Sequence, residues 1–159
     1  MKKTTKSNKV SAVPEGFTTV TSYLVVDNAD DLIHFIEKGL GGKLVSVIRG
    51  TENRIANANV RIGNSMIMVS DTMADMPPEL AMMFLYVEDA DAIYKSAIRE
   101  HAESIQAPKD EFYGDRVGGV KDRWGNKWWI ATHQEDIEEE ELERRAKAAW
   151  KEKEPQHAH

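Results

Sequence analysis

The chain contains no cysteine, which removes disulfides and thiolate chemistry and says little about compartment. Positive charge is also short. The 21 Lys and Arg are outnumbered by 27 Asp and Glu, for a net charge of −6. A nucleic-acid partner needs a basic face for its phosphates, so none is expected. No run of about 18 apolar residues occurs, so no membrane span is expected. The start, Met1 to Lys9, is basic but leads into no apolar stretch, so a signal peptide is not expected and the cytoplasm is the default location. Histidine is sparse and scattered. His34 and His101 fall on expected helices, His133 follows the last expected strand, and His157 and His159 lie at the end, with no ligand spacing among them.

What remains is a chain of 159 residues, 41% apolar and 30% charged, enough for one domain or for two small modules sharing a core. Its most informative stretch is Tyr113 to Asp136: an aromatic-flanked Gly-Asp-Arg, a tight Asp-Arg-Trp-Gly-Asn turn, and an apolar run from Lys127 to Thr132. The turn glycine falls where the backbone requires positive φ, and the run suits a buried strand. Earlier, Arg61 to Asp71 repeats the theme, a Gly-Asn turn followed by an apolar strand that closes on Asp.

In chain order, residues 1–13 form a polar, Lys-rich arm. Phe17 to Val26 is β-branched and aromatic, which predicts a strand. Asn28-Ala29-Asp30 caps a helix over Asp30 to Leu40, and Gly41-Gly42 ends it. Strands are predicted over Lys43 to Arg49, Ile55 to Ile62 and Ser65 to Ser70. These complete a β-α-β-β-β module over residues 14–72. Residues 73–79, with Pro77-Pro78, form a linker.

The chain then matches itself. Thr21 to Asp30 lies over Met82 to Asp91 at an offset of 61, an apolar strand running into an acidic cap in both. A helix over Asp89 to His101 follows. Gly63-Asn64 lies over Gly125-Asn126 at an offset of 62. The fold class expected is therefore α+β: two tandem βαβββ modules, 14–72 and 80–136, whose curved mixed sheets can join with the helices outside. Residues 137–154 form a charged C-terminal helix, with Glu140–Arg144, Glu141–Arg145 and Glu143–Lys147 at i,i+4 spacing, and 155–159 a tail.

These modules resemble the vicinal oxygen chelate superfamily, which holds glyoxalase I, extradiol dioxygenases, fosfomycin-resistance proteins and bleomycin-binding proteins. The resemblance is nearest to its PhnB-like, glyoxalase/bleomycin-resistance branch. It rests on VPEGFTTVTSYLVV, NANVRIGNSMIMVSD, LYVEDADA and FYGDRVGGVKDRWGNKWWIATHQED, about residues 13 to 137. It implies a homodimer with a cleft in each curved sheet. It also implies a divalent metal held by four strand positions, which the repeat aligns with Thr21, Ile67, Met82 and Trp129. Ile and Trp offer no lone pair and Met is a soft donor, so no metal and no other cofactor is expected. Asn57 and Asn126 stand where relatives often carry His, and Asn57 offers only a neutral amide oxygen.

Strand alternation then places Thr21, Tyr23, Met82, Phe84, Tyr86, Trp129, Ile67, Asn57 and Asn59 on the cleft face, with Trp128 on the helix side. That lining suits a small, partly aromatic organic molecule, stacked on rings and oriented by sparse hydrogen bonds. The same rings also suit a collapsed core. Asp115 and Arg116 pair to pin their loop, or Arg116 holds a ligand anion; Tyr113 and Phe112 cap the cleft or pack on the sheet edge. His133 is expected to hydrogen-bond at the strand end rather than act as a base. The leading expectation is metal-free binding of a small organic molecule, as in bleomycin-resistance proteins. The alternatives are a metal-dependent glyoxalase-type lyase, isomerase or dioxygenase, and a non-catalytic interaction scaffold.

Overall fold

Residues 9–154 are described by the computed structural model; the expected tail, and most of the expected N-terminal arm, lie outside them. Strand β1 (Tyr23–Val26) runs into helix α1 (Ala29–Leu40) through Asn28, whose φ is 59°. The Asn28 side chain makes no capping bond. The first helical amide, Ala29 N, instead donates to Asp71 Oδ1 at 2.9 Å, and Asp71 Oδ2 accepts from Ile55 N at 2.7 Å. The second module repeats the device with a different side chain. Thr132 Oγ1 accepts from Ala90 N, the first residue of helix α2 (Ala90–Arg99), at 2.9 Å. Both donor and acceptor have moved by 61 residues, from 29 to 90 and from 71 to 132, so the duplication seen in the sequence extends to its helix caps.

The first sheet has the order β1-β4-β3-β2, with β2 (Lys43–Arg49), β3 (Ile55–Ile62) and β4 (Ser65–Asp71) antiparallel in turn and β1 parallel to β4. The second repeats it as β5-β8-β7-β6, from β5 (Met82–Tyr86), β6 (Glu103–Asp110), β7 (Asp115–Lys121) and β8 (Lys127–His133). The fold class is the expected one, but the two sheets stay separate within the chain. They are joined through their helices. Leu32, Phe35 and Ile36 of α1 share one core with Ala97 of α2, and Trp128 and Ile130 of β8 close it. Phe35 and Trp128 meet at 6.4 Å between ring centroids. Each sheet therefore spends one face on this common core and turns the other away from it.

The Asp-Arg-Trp-Gly-Asn turn between β7 and β8 is built on one carboxylate. Asp122, almost fully buried, accepts from Trp124 N and Asn126 N at Oδ1, and from Asn126 Nδ2 and Trp128 Nε1 at Oδ2. Asn126 Oδ1 in turn accepts from Ala81 N, which fixes the start of β5 against the turn. Gly125 has φ 100°, the left-handed conformation the turn needed.

The first and sixth strands depart most from what local sequence suggests. β1 begins at Tyr23 rather than Phe17, because the Thr-rich approach satisfies itself locally, Thr18 Oγ1 donating to Val20 O. β6 carries Pro108 and a polar sequence that gave no strand signal; it sits at the sheet edge and pairs with β7 through two register breaks. Helix α3 (Glu139–Lys153) holds to the body through Arg145, which donates to Phe112 O at 3.2 Å. On its own surface Glu141 takes both Arg144 and Arg145, which hold its carboxyl down at about 2.

Candidate functional site

On the face away from the helices, neighbouring strands line up matching rows. In the first sheet Tyr23, Met68, Asn59 and Ser46 lie opposite one another in register. In the second the row is Phe84, Trp129, Gly119 and Gln106. Tyr23 and Phe84, and Met68 and Trp129, are each 61 residues apart. The counterpart of Trp129 is therefore Met68, not Ile67. Ile67 packs in the core beneath the helices rather than on the open face, and from there it reaches the groove between the modules described below. The error came from the Gly-Asn match at an offset of 62. The first turn has only Gly63-Asn64 between paired Ile62 and Ser65, whereas the second spans 122–126 between Lys121 and Lys127. A one-residue slip sends every side chain of a strand to the opposite face.

The first open face is neutral and polar. Asn57 Nδ2 lies 3.4 Å from Tyr23 Oη, and Asn59 Nδ2 donates to Ser46 Oγ at 2.9 Å. Asn59 Oδ1 and Ser70 Oγ are buried without a hydrogen-bond partner. Thr21 is half-buried and precedes the strand. The second open face is aromatic. Met82, Phe84 and Tyr86 are 69, 47 and 64% exposed, and the Phe84 and Tyr86 rings meet at 5.3 Å. Trp129 shares their face, as strand parity predicts, but its ring lies down over its cross-strand neighbour. A Cβ on Gly119 would stand 2.5 Å from Trp129 Cζ3.

Asp115 and Arg116 do not pair with each other. Arg116 turns toward the helix layer and takes Asp91 at 2.6 Å and Asp110 at 3.3 Å, which raise its already high pKa. Its assignment to the ligand site is corrected: successive residues of a strand face opposite ways. Tyr113 is half-buried in the turn before β7, edge-on to Phe112 at 5.2 Å, and does not line the groove described below.

Asp115 points to the open face and makes a cluster that sequence reasoning missed. It is 2% exposed. Its Oδ2 accepts from Tyr86 Oη at 2.7 Å, and its Oδ1 lies 2.7 Å from His133 Nδ1. His133 Nε2 lies 2.7 Å from Asp136 Oδ1. The hydrogen bonds to Asp115 and then Asp136 raise the imidazole above its ordinary 6.5, and the bond to Asp115 raises the Tyr86 phenol. The paired acid that the sequence did not place beside His133 is its direct cross-strand partner. Counting outward from the turn that pairs Lys121 with Lys127 would have found it.

Between the modules runs an open groove of about 1150 Å³. Ser65, Met66 and Leu40 line it on one side; Met82, Phe84 and Tyr86 of β5 line the other, with Glu88 and His133. The β5 edge along it makes no backbone hydrogen bond other than to β8 among the described residues. A divalent metal does not fit the row positions. Tyr23, Met68, Phe84 and Trp129 present no carboxylate or imidazole, and among the described residues no three His, Asp or Glu converge as a metal site.

The family model of the Glyoxalase/Bleomycin resistance protein/Dioxygenase superfamily matches residues 16–130. The chain belongs to this superfamily. A relative of it, an uncharacterised protein of Mycobacterium bovis, is 26% identical over 135 residues, 78% of this chain and 89% of that one. Among solved structures, TnmS3 from Streptomyces sp. CB03234, described as an antibiotic binding protein, matches with a TM-score of 0.57 at 19% identity, over 74% of this chain and 98% of that one. The PhnB protein from Bacillus cereus matches with a TM-score of 0.54 at 14% identity, over 72% of this chain and 99% of that one. At these identities the structural matches show a common fold, and the superfamily's chemistry has to be argued from the side chains.

Proposed function

We propose that this superfamily member binds a small, partly aromatic organic molecule without a metal. The observation that carries the reading is that three rings and one thioether stand along the strand row in place of metal-binding carboxylates or imidazoles: Tyr23 and Met68 in one sheet, Phe84 and Trp129 in the other. Exposed Met82, Phe84 and Tyr86 supply a stacking wall beside a groove large enough for a drug-sized ligand. An offset or edge-on aromatic contact there contributes about 0.5–1.5 kcal/mol beyond the area it buries. The description of TnmS3 as an antibiotic binding protein supports the same class of activity.

The protein acts as a homodimer in this reading. An open edge strand flanked by exposed apolar side chains is a pairing template, and β5 with Met82, Phe84 and Tyr86 is one. A second copy closing over that edge removes the liability and walls the groove. Light scattering at micromolar concentration should give twice the mass of the chain; a single-chain mass would refute the dimer.

A thermal-shift screen of bicyclic and tricyclic aromatic compounds tests the binding itself, since a ligand that binds only the native state raises the melting temperature. Trp129 shares the open face with Phe84, its partner in register, whereas Trp128, buried beneath the helices, is the indole that reaches the groove. A ligand stacked on the open face should lose affinity and its change in tryptophan emission in Trp129→Phe, whereas one held deep in the groove should respond to Trp128→Phe. A response confined to Trp128→Phe would refute stacking on the open face.

A further inference from the structure

The His133 cluster has a chemistry that the apolar groove does not. A buried carboxylate, Asp115, holds Nδ1 and in turn accepts from Tyr86 Oη, so three adjacent strands fix one imidazole at the rim of the groove. The outward nitrogen, Nε2, faces Asp136, whose side chain is fully exposed. With a carboxylate at each nitrogen, both contacts favour the imidazolium, which has a donor at each nitrogen. That favours a donor role over a general base, which must be neutral with a free lone pair. It suits an anion. Asp136 occupies the outer donor from solvent, so its departure uncovers no buried group. The chain after His133 is pinned close by, Gln134 N and Glu135 N both donating to Gly114 O, so the ring keeps its place when Asp136 leaves.

We infer that His133 recognises the carboxylate of an aromatic organic acid, which displaces Asp136 from Nε2 while its ring packs on Phe84 and Tyr86. The inference rests on the binding function proposed above and names the substrate class: planar acids in preference to their neutral counterparts. The titratable groups facing His133 are Asp115 and Asp136, with Tyr86 on Asp115, and Glu88 shares the groove. An incoming carboxylate takes the contact that Asp136 vacates, while Asp136 turns into solvent, where its charge is screened. The matched segment of the superfamily ends at residue 130, short of both His133 and Asp136.

The test is calorimetric titration of the full chain near pH 6 with 2-naphthoate and with 2-naphthamide, which share a ring and differ in charge. The acid should bind about tenfold or more tightly, the usual scale of a hydrogen bond to a charged group. His133→Gln should abolish that preference by weakening the acid. Asp136→Asn, a change at a fully exposed position with no folding risk, should tighten the acid severalfold and leave the amide unchanged. Equal binding of the two probes overturns the inference but not the binding function. So does a preference that survives His133→Gln, or an acid affinity unmoved by Asp136→Asn. Failure of both probes to bind overturns both.

Discussion

Trp129 lies over Gly119, its cross-strand neighbour, so closely that a Cβ there would stand 2.5 Å from the indole. The glycine is what lets the largest side chain of the open face lie down on the sheet. Gly119→Ala should lift the ring, cost about 1–3 kcal/mol from overpacking, and shift tryptophan emission. Gly50→Ala, whose Cβ meets nothing nearer than 3.9 Å, should stay within about 0.5 kcal/mol. Urea denaturation followed by fluorescence measures both. Equal stability of the two variants would show that the indole is not constrained by Gly119.

Asp122 organises the turn that the sequence made conspicuous. Its removal leaves four donors, from Trp124, Asn126 and Trp128, without their acceptor. A buried unmet donor costs about 1–3 kcal/mol, so Asp122→Ala should destabilise by more than about 3 kcal/mol even though the losses overlap. Thr132→Val, which strips an acceptor from Ala90 N and a donor from Val87 O, should cost about 1–2 kcal/mol. Chemical denaturation at neutral pH separates the two; similar costs would mean that Asp122 is not the centre of the network.

How much of this was legible in the sequence followed the range of the interaction. The Asp122–Asn126 turn declares itself through adjacent residues and a glycine with positive φ. The strands β2, β3 and β8 follow from local composition. The duplication was legible because strand, cap and helix recur together, down to Ala29 and Ala90. Ile67 was misplaced because two turns of different length were aligned on their Gly-Asn pairs, and strand parity forgives no slip. Arg116 was misread because its partner, Asp91, lies on a helix 25 residues away. β6 followed only from the repeat, because an edge strand with Pro108 carries no buried face to print a pattern of its own.

The same range argument applies to His133. Its partner Asp115 is 18 residues distant and becomes adjacent only through hairpin register. Because the folded-state pKa is raised above 6.5, the stability from this pair is fully present below pH 6.5 and is lost as pH rises through the folded value. Proton NMR should find the His133 midpoint above 6.5, and Asp115→Asn should lower it. A His133 midpoint at or below 6.5 in the unmodified protein would contradict the cluster.

The central claim, organic-ligand binding without a metal, is tested most directly by calorimetry on protein dialysed against a strong chelator. The compound with the largest thermal shift is titrated before and after addition of zinc, nickel, manganese or iron. The account predicts the same affinity throughout and no stoichiometric uptake of the ions. Binding that vanishes on chelation and returns with about one metal per chain would contradict it.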